Sequence, residues 1–473
     1  MAKKIRDPLY GFIEIPDEYL PLVDHKILQR LRWVNQLPLE QLVYPAAQHS
    51  RFEHSLGTMH LTRKAAECLV CNSNERFLKI TKGDALFKEV KASKRRDIFI
   101  GCAGLVGLLH DVGHAPFSHT MEDACDYASG LKFKYNHEYV GCVLAKCVLD
   151  GAKELDEITV AICSKVLNKK IRNEQLSPVE VLLRYMIDGP FDVDKGDYIR
   201  RDSYHCGVVY GIYDIERLWS NIVITDTNTI GVDAKGALEA WSLRIARYKM
   251  TKNAYKHHVR NITDALLIEV ISRGLEITSD DTRERKRILP FCCEEKIGID
   301  ENIAHFCLWN DNTLIKGLSD LDDGRIATKI ESFMSRNLYK RLFEINLTKD
   351  FPESKNNIDR LHTNLRKIKT EFSEKSLDFN YIVDKEILPP VFEDEVQKEI
   401  RVRDGSKYLS LAEYLGFGVK DGDSDKSYVK NLKLRVFAKR SDKGIKAELQ
   451  ELICKALSEF SVNESVAKPI EHN

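Results

Sequence analysis

In the stretch LLHDVGHAPFSH, residues 108–119, three histidines and one aspartate fall within twelve positions of a chain that has fourteen histidines in 473 residues. Imidazole and carboxylate groups side by side are the donor set of a divalent ion such as zinc, iron or manganese, and not of a thiolate-bound one. On a helix, His110 and Asp111 lie about 100° apart around the axis and can reach one point beside it. His114 follows His110 by one turn and shares its face. Gly113 and Pro116 should then break the helix and return His119 on a turn. A His-Asp pair alone occurs often by chance, so its weight comes from further donors. HSRFEHSLGTMH supplies His54 upstream, and DVDKGDYIRRD, residues 192–202, supplies a carboxylate cluster downstream. Two imidazoles and two carboxylates would hold one ion with positions left for water, whose pKa such an ion lowers towards neutrality.

The segments that must position these donors read as helices. From about residue 17 to 275 the apolar period is mostly helical, as in HKILQRLRWVNQL, RRDIFIGCAGLVGLLHDVGH and HEYVGCVLAKCVLDG. One interruption, SNIVITDTNTIGVDAKG at 220–236, places two β-branched runs across a polar turn and predicts a hairpin. Helix resumes in ALEAWSLRIARYKMTKNAYKHHVRNITDALLIEVISRGLEI, whose length predicts a break or kink. After about residue 300 come short helices such as GRIATKIESFMS, and then VQKEIRVRD and NLKLRVFAK as strands. The fold class expected is mainly α, with a helical core over residues 1–300 and a smaller α+β lobe over 301–460. KDGDSDKS (420–427) is expected as a flexible loop and residues 461–473 as a disordered tail.

Lys plus Arg equals Asp plus Glu at 72 each, so no global field draws the chain to nucleic acid or to a membrane surface. Binding charge must be local, and KASKRRD (91–97), RERKR (283–287) and KNLKLRVFAKR (430–440) read as solvated faces. At 43% hydrophobic composition the chain can bury a large core. No window approaches the roughly 18 to 20 apolar residues of a membrane span. Twelve scattered cysteines and an N-terminus, MAKKIRDPLY, without an apolar signal segment predict a cytoplasmic protein without disulfides. Cys68 and Cys71 form a lone CxxC in a helical run and are expected to pack in the core.

RFEHSLG (51–57), LLHDVGHAPFSH (108–119), HE (137–138) and DVDKGDYIRRD (192–202), in that order, resemble the signature of the HD-domain deoxynucleoside triphosphate (dNTP) triphosphohydrolases, the branch of the mammalian SAM-and-HD-domain enzymes and their bacterial relatives. The resemblance covers roughly residues 3–345 and implies an HD-domain helical core. It further implies metal ligands His54, His110, Asp111 and Asp194, an ion of the Fe, Mn, Zn or Ni type, and Mg or Mn with the triphosphate. The implied reaction is attack on the α-phosphorus, releasing deoxynucleoside and inorganic triphosphate. His119 would be the general acid at the 5′-oxygen, while His114, His137 and Glu138 set tautomers and proton flow. Arg51, Lys195 and Arg247 match positions that hold the triphosphate, Tyr198 a phosphate or sugar contact and Asp202 a contact to the 3′-hydroxyl. Gln36, Leu37 and Tyr255 match residues packed on the sugar, with Tyr255 leaving no room for a 2′-hydroxyl. The chain departs from the mammalian pattern at Thr251, where a histidine stands, at Lys256, where a glutamine stands, and at Glu122, which replaces a shorter acid.

The same family often carries regulatory nucleotide sites between subunits. Asp24, Gln29 and Arg32, in VDHKILQRLRW, match its guanine-recognising positions. Arg217 and Lys235 would serve a second site, where Asp233 stands in place of a cation, and Arg6 replaces an asparagine. The resemblance thus implies an activating nucleotide, GTP, dGTP or another dNTP, and a homo-oligomer, dimer or tetramer. Two other readings stand beside it. One is another HD-superfamily phosphodiesterase or nuclease, for which the chain has no HD-GYP pair and no extended basic track. The other is a nucleotide sensor with secondary catalysis, which a degraded metal set would favour.

Overall fold

Polar residues that cap the start of several helices, Ser50, Asn136, Asp156, Ser177 and Asp192 among them, mark where the chain begins to coil. The structure, a computed structural model, describes residues 3–128, 134–290, 299–347, 355–374, 379–385, 400–416, 432–438, 443–458, 460 and 467–468. It is mainly helical with small sheets. An antiparallel hairpin comes first, β1 (Lys3–Asp7) and β2 (Gly11–Ile15), pairing Lys3 with Ile15 and Asp7 with Gly11. Two short helices follow, α1 (Leu20–Val23) and α2 (Lys26–Arg30). The long α3 (Arg51–Asn72) starts at Ser50, whose side chain and that of Glu53 form a capping box. After α4 (Asn74–Gly83) comes α5 (Ala92–Leu109), which packs along α3 and is buried on nearly every side from Phe99 to Leu109. A helix apolar all round is one that other elements enclose.

The core continues through α6 (His119–Tyr127), α7 (His137–Asp150), α8 (Glu157–Leu167), α9 (Pro178–Ile187), α10 (Val193–Cys206) and α11 (Ile215–Trp219). Asp192 caps α10 by accepting from the Lys195 N–H, and Gly207, at φ 68°, ends it. The expected hairpin forms as β3 (Ile222–Ile224) and β4 (Ile230–Asp233). The expected break in the next long helix is also present: α12 (Ala237–Met250) passes through one wide turn, Thr251–Tyr255, into α13 (His258–Ile277). Four further helices, α14 (Thr282–Ile288), α15 (Ile299–Leu308), α16 (Asp311–Ser319) and α17 (Gly324–Met334), complete this part.

The remainder holds β5 (Lys340–Leu347), α18 (Lys355–Glu374), β6 (Phe379–Lys385), β7 (Arg401–Asp404), β8 (Lys407–Ser410), β9 (Leu432–Ala438), a helix over Lys443–Ser458 and β10 (Ala467–Lys468). One sheet has the order β10-β5-β9-β6, and the other, β3-β4-β7-β8, joins the hairpin of the helical core to late strands through a parallel β4–β7 pair. The apolar clusters part after α17: the first takes in residues from Ile13 to Phe333 together with Ile400, Val402 and Leu411, and the second runs from Phe343 to Phe460.

Four expectations differ from what is seen. α5 ends at Leu109, so His110 and Asp111 lie in the turn after the helix and not inside it. His119 opens α6 and is not on a turn. The turn packs closely on α7, since a Cβ on Gly113 would stand 2.2 Å from the His137 carbonyl oxygen and 2.3 Å from the Gly141 nitrogen. Phe117 and Ser118, at φ 56° and 54°, then reverse the chain. Cys71 is exposed and Cys68 half-buried, so they are not a core pair. Ala467–Lys468, in the stretch expected as a disordered tail, pairs with β5; residues 461–466 and 469–473 and the loop expected at 420–427 lie outside the described residues. No helix among the described residues is long and apolar enough to cross a membrane.

Candidate active site

α3 contributes His54, the turn after α5 His110 and Asp111, and α10 Asp194. His54 Nε2 lies 3.0 Å and His110 Nε2 3.4 Å from Asp194 Oδ1. Both ring nitrogens are buried without a hydrogen bond of their own. Donor atoms of His54, His110 and Asp194 all lie within 4.8 Å of one another. Asp111 stands at the edge of this group, with Oδ1 3.3 Å from His110 Nε2 and Oδ2 taken by Arg51 and 3.7 Å from His54 Nε2. Two orphaned nitrogens converging on carboxylates fit a divalent cation, which would satisfy both. Burial opposes charge on His54, yet Asp194 and Asp197 outweigh it and raise its pKa to about 10, so a cation binding here would displace a proton from Nε2. Burial works against the charge of Asp111 too, but His110, Arg51 and His114 hold its carboxyl well below the usual range.

Behind His54, its Nδ1 meets Asp197 Oδ1 at 2.8 Å. Arg201 grips Asp197 through two bonds of 2.9 Å and reaches Asp7 of β1 at 2.8 Å, while the Tyr10 hydroxyl donates to Asp197 at 2.9 Å. An ionised carboxylate accepts, so Nδ1 carries the hydrogen and Nε2 is left for the ion site. Burial resists the charge of Asp197, but Arg201 and His54 keep its pKa far below normal. Only glycine fits at position 57, because a Cβ there would stand 2.0 Å from Asp197 Oδ2.

A second group sits beside the first. The His114 and His137 rings stack at 4.1 Å, and His119 meets them edge-on at 5.3 and 5.1 Å. Glu122 accepts from His119 Nδ1 at 2.9 Å and from both Nδ1 and the backbone N–H of His137 at 2.8 Å. Burial favours a neutral Glu122, yet these imidazoles hold its carboxyl well below the ordinary range. His119 therefore presents Nε2, on a side chain 66% exposed. His114 is kept neutral by burial and by the nearby Arg51.

One cavity of about 470 Å³ is lined by Gln36, Leu37, Arg51, His110, Asp111, His114, His119, His137, Glu138, Asp194, Lys195, Tyr198, Asp202 and Tyr255. The Tyr255 hydroxyl donates to Asp202 at 2.6 Å, and Asp202 also meets buried His49 at 2.8 Å, so the tyrosine is fixed. Lys195 donates to Asp192 and to the Gly189 carbonyl. Arg247 lines an adjoining depression that shares Lys195 with this cavity. Asp24, Gln29 and Arg32 lie on the outside of the molecule: Arg32 donates to Gln29 at 2.8 Å and stacks over Phe52, and Gln29 donates to the Val23 carbonyl. Arg217 and Lys235 are exposed on α11 and on the turn after β4, where Arg403 of β7 supplies the cation facing Asp233 at 2.9 Å.

Several supporting residues escaped the sequence reading. Buried Arg30 donates to the carbonyls of His114 and Trp309 and stacks on Phe306. Asp311, at the start of α16, accepts from the Phe117 N–H at 2.9 Å and the Asn35 N–H at 3.0 Å, and burial raises its pKa to about 6. Their partners are 84 to 279 residues away, so no local signal exists. Asp197 and Arg201 did leave one, the i, i+4 acid–base spacing inside DVDKGDYIRRD.

Residues 51–186 match the HD domain, and residues 213–289 match the HD associated region. An uncharacterised protein of Methanocaldococcus jannaschii is 30% identical over 303 residues, 63% of this chain and 56% of that protein. The deoxynucleoside triphosphate triphosphohydrolase SAMHD1 homolog of Dictyostelium discoideum is 28% identical over 353 residues, 74% of this chain and 62% of that one. SAMHD1 of Homo sapiens is 28% identical over 306 residues, 58% of this chain and 46% of its own length. The chain thus spans about half to three fifths of these curated relatives. Among solved structures, a phosphohydrolase from Bacteroides thetaiotaomicron aligns with a TM-score of 0.66 at 24% identity over 93% of this chain and all of its own, and so shares the fold. A hypothetical protein from Aquifex aeolicus aligns with a TM-score of 0.62 at 25% identity over 97% of this chain and all of its own.

Proposed function

We propose that this chain, which carries an HD domain with its associated region, is an HD-domain phosphohydrolase that converts dNTPs to deoxynucleoside and inorganic triphosphate. The observation that carries this reading is the cavity itself, where the unbonded nitrogen of His110, the carboxylates of Asp111 and Asp194, the cationic Arg51 and the free edge of His119 line one space, with His54 Nε2 next to Asp194 at 3.0 Å. Its volume, about 470 Å³, lies within the usual range for small-ligand sites, about 300–1,000 Å³. His54, His110, Asp111 and Asp194 would hold an ion of the Fe, Mn, Zn or Ni type, which when bound supplies Lewis acidity and a more acidic water. Mg or Mn would accompany the triphosphate.

Arg51 and Lys195 meet the phosphoryl charge, with Arg247 reaching in from the adjoining depression. Arg51 exchanges its Asp111 partner for phosphate oxygens. His119 gives its Nε2 proton to the departing 5′-oxygen, held in aim by Glu122, while His114, His137 and Glu138 pass protons to and from it. Tyr198 and Asp202 meet the sugar and its 3′-hydroxyl, with Gln36 and Leu37 packing beside them. Tyr255, pinned by Asp202, fills the space a 2′-hydroxyl would need. On the outer face, Asp24, Gln29 and Arg32 would take an activating GTP, dGTP or other dNTP between subunits of a dimer or tetramer, with Arg217 and Lys235 serving a second nucleotide. A cytoplasmic location accords with such substrates.

The test is to incubate the protein with each dNTP and each matching ribonucleotide in Mn²⁺ or Mg²⁺ and to separate products by ion-pairing chromatography. Deoxynucleoside and triphosphate should appear from dNTPs alone. Release of nucleoside monophosphate and pyrophosphate would overturn the assignment.

A further inference from the structure

We infer that the crevice between α13, α17 and α18 is a second ligand site, one for a chain of phosphoryl groups. It encloses about 530 Å³ and lies apart from the catalytic cavity, with no lining residue in common. Arg273 of α13, Arg325 and Lys329 of α17, and Arg366 and Lys369 of α18 line it. Facing them are two carboxylates, Glu269 and Glu276, and Asp323 pairs with Arg273 at 3.2 Å, so five positive charges against three negative leave an excess of two. The whole chain is neutral, which makes this a local concentration and not a share of a basic surface.

The cations are built into the fold. Lys329 and Lys369 are buried, and both reach Glu269, at 3.0 and 2.7 Å. Side chains held this way have already lost the rotamer freedom that a surface lysine surrenders on binding. Arg366 lies over the Tyr127 ring at 4.3 Å, and its Nε is buried without a hydrogen bond. Arg325 stands exposed on the facing helix. Guanidinium groups pair with phosphoryl oxygens through two parallel bonds, which suits them to phosphate above other anions. Cationic groups spread over three helices match several linked phosphoryl groups better than one. Tyr127 and Arg366 also border a neighbouring cavity of about 720 Å³, whose lining mixes Asp123, Asp126, Asp264 and Asp359 with Lys256 and Arg260.

Two sources share this chemistry, free inorganic polyphosphate and the phosphate tail of a nucleotide. Titration calorimetry on the full chain with inorganic triphosphate, and separately with ATP, distinguishes them. Chelator is present, so that no turnover occurs and the outcome does not depend on the catalytic reading. A binding event should appear that Arg325→Glu weakens by at least about tenfold and Arg325→Lys largely restores, with basal dNTP turnover unchanged in both. Equal affinity for triphosphate and ATP would identify the phosphate chain as the feature read, and tighter binding of ATP would add a contact to the nucleoside. Should Lys369→Met fold poorly, the exposed Arg325 variants still decide. Absence of binding, or binding that Arg325→Glu leaves unchanged, would overturn the site.

Discussion

Asp111 and His119 border the same cavity but are held by different neighbours. Asp111 is surrounded by Arg51, His110 and His114, whereas His119 is hydrogen-bonded to Glu122, meets the His114 and His137 rings edge-on and is otherwise open to solvent. Their substitutions should therefore separate. Asp111→Asn removes charge at the ion group and should abolish turnover together with bound metal. His119→Asn should lower turnover by roughly 10² to 10⁴, the range for losing general acid catalysis, with metal content intact. Metal analysis alongside kinetics checks both, and metal loss from the His119 variant would move that residue into the ion group. His54, His110 and Asp111 could be picked out as candidate donors from imidazoles and carboxylates closely spaced in short motifs, whereas Asp194 was singled out of its carboxylate cluster only by the family resemblance. The bridging role of Glu122 was not legible in the sequence, since it depends on His137 arriving from another helix.

Elements fix where those residues point. Arg30 and Asp311 clamp α15 and α16 to the loop that carries His114, Phe117 and Ser118. Asp311→Ala leaves the Phe117 and Asn35 N–H groups unpaired, at a cost of about 1–3 kcal/mol each. It should lower kcat more than it changes KM, because His119 follows Phe117 by two residues; a stability loss with kcat unchanged would contradict the clamp. Glu40, buried with neither carboxylate oxygen hydrogen-bonded, has its pKa raised to about 8 by burial, which Arg260 at 3.7 Å offsets only in part. The folded state thus binds this proton more tightly than the unfolded chain does, and stability should fall as pH rises from about 4.5 to 8. Glu40→Gln should remove that slope, melting above wild type at pH 9 and level with it at pH 5; parallel melting curves would contradict the burial argument. The hairpin at 220–236 and the break before α13 were legible because turn residues and helix length are local properties. The parallel partner β7 was not, since nothing in either strand names a mate some 170 residues away.

At the scale of the whole molecule, equal numbers of acids and bases hide an uneven distribution. The catalytic cavity, the outer face with Asp24 and Arg32, and the crevice near Lys369 each gather charge that the total conceals. The sequence predicted a boundary near residue 300, whereas the apolar clusters part after α17, because α15 and α16 are drawn into the first core by Phe306, Trp309 and Leu314. If the Asp24 face binds an activating nucleotide between subunits, both turnover of one dNTP and particle mass should rise when GTP, dGTP, dATP or dTTP is added. Asp24→Ala should remove both responses. Mass photometry and kinetics that ignore every added nucleotide would refute the regulatory proposal and leave the hydrolase untouched. The catalytic proposal itself is tested most directly by hydrolysing a dNTP in ¹⁸O-labelled water and weighing both products. Attack at the α-phosphorus breaks the bond from phosphorus to the 5′-oxygen, so one ¹⁸O should enter the inorganic triphosphate and none the deoxynucleoside; label in the deoxynucleoside, or in a nucleoside monophosphate released with pyrophosphate, would contradict it.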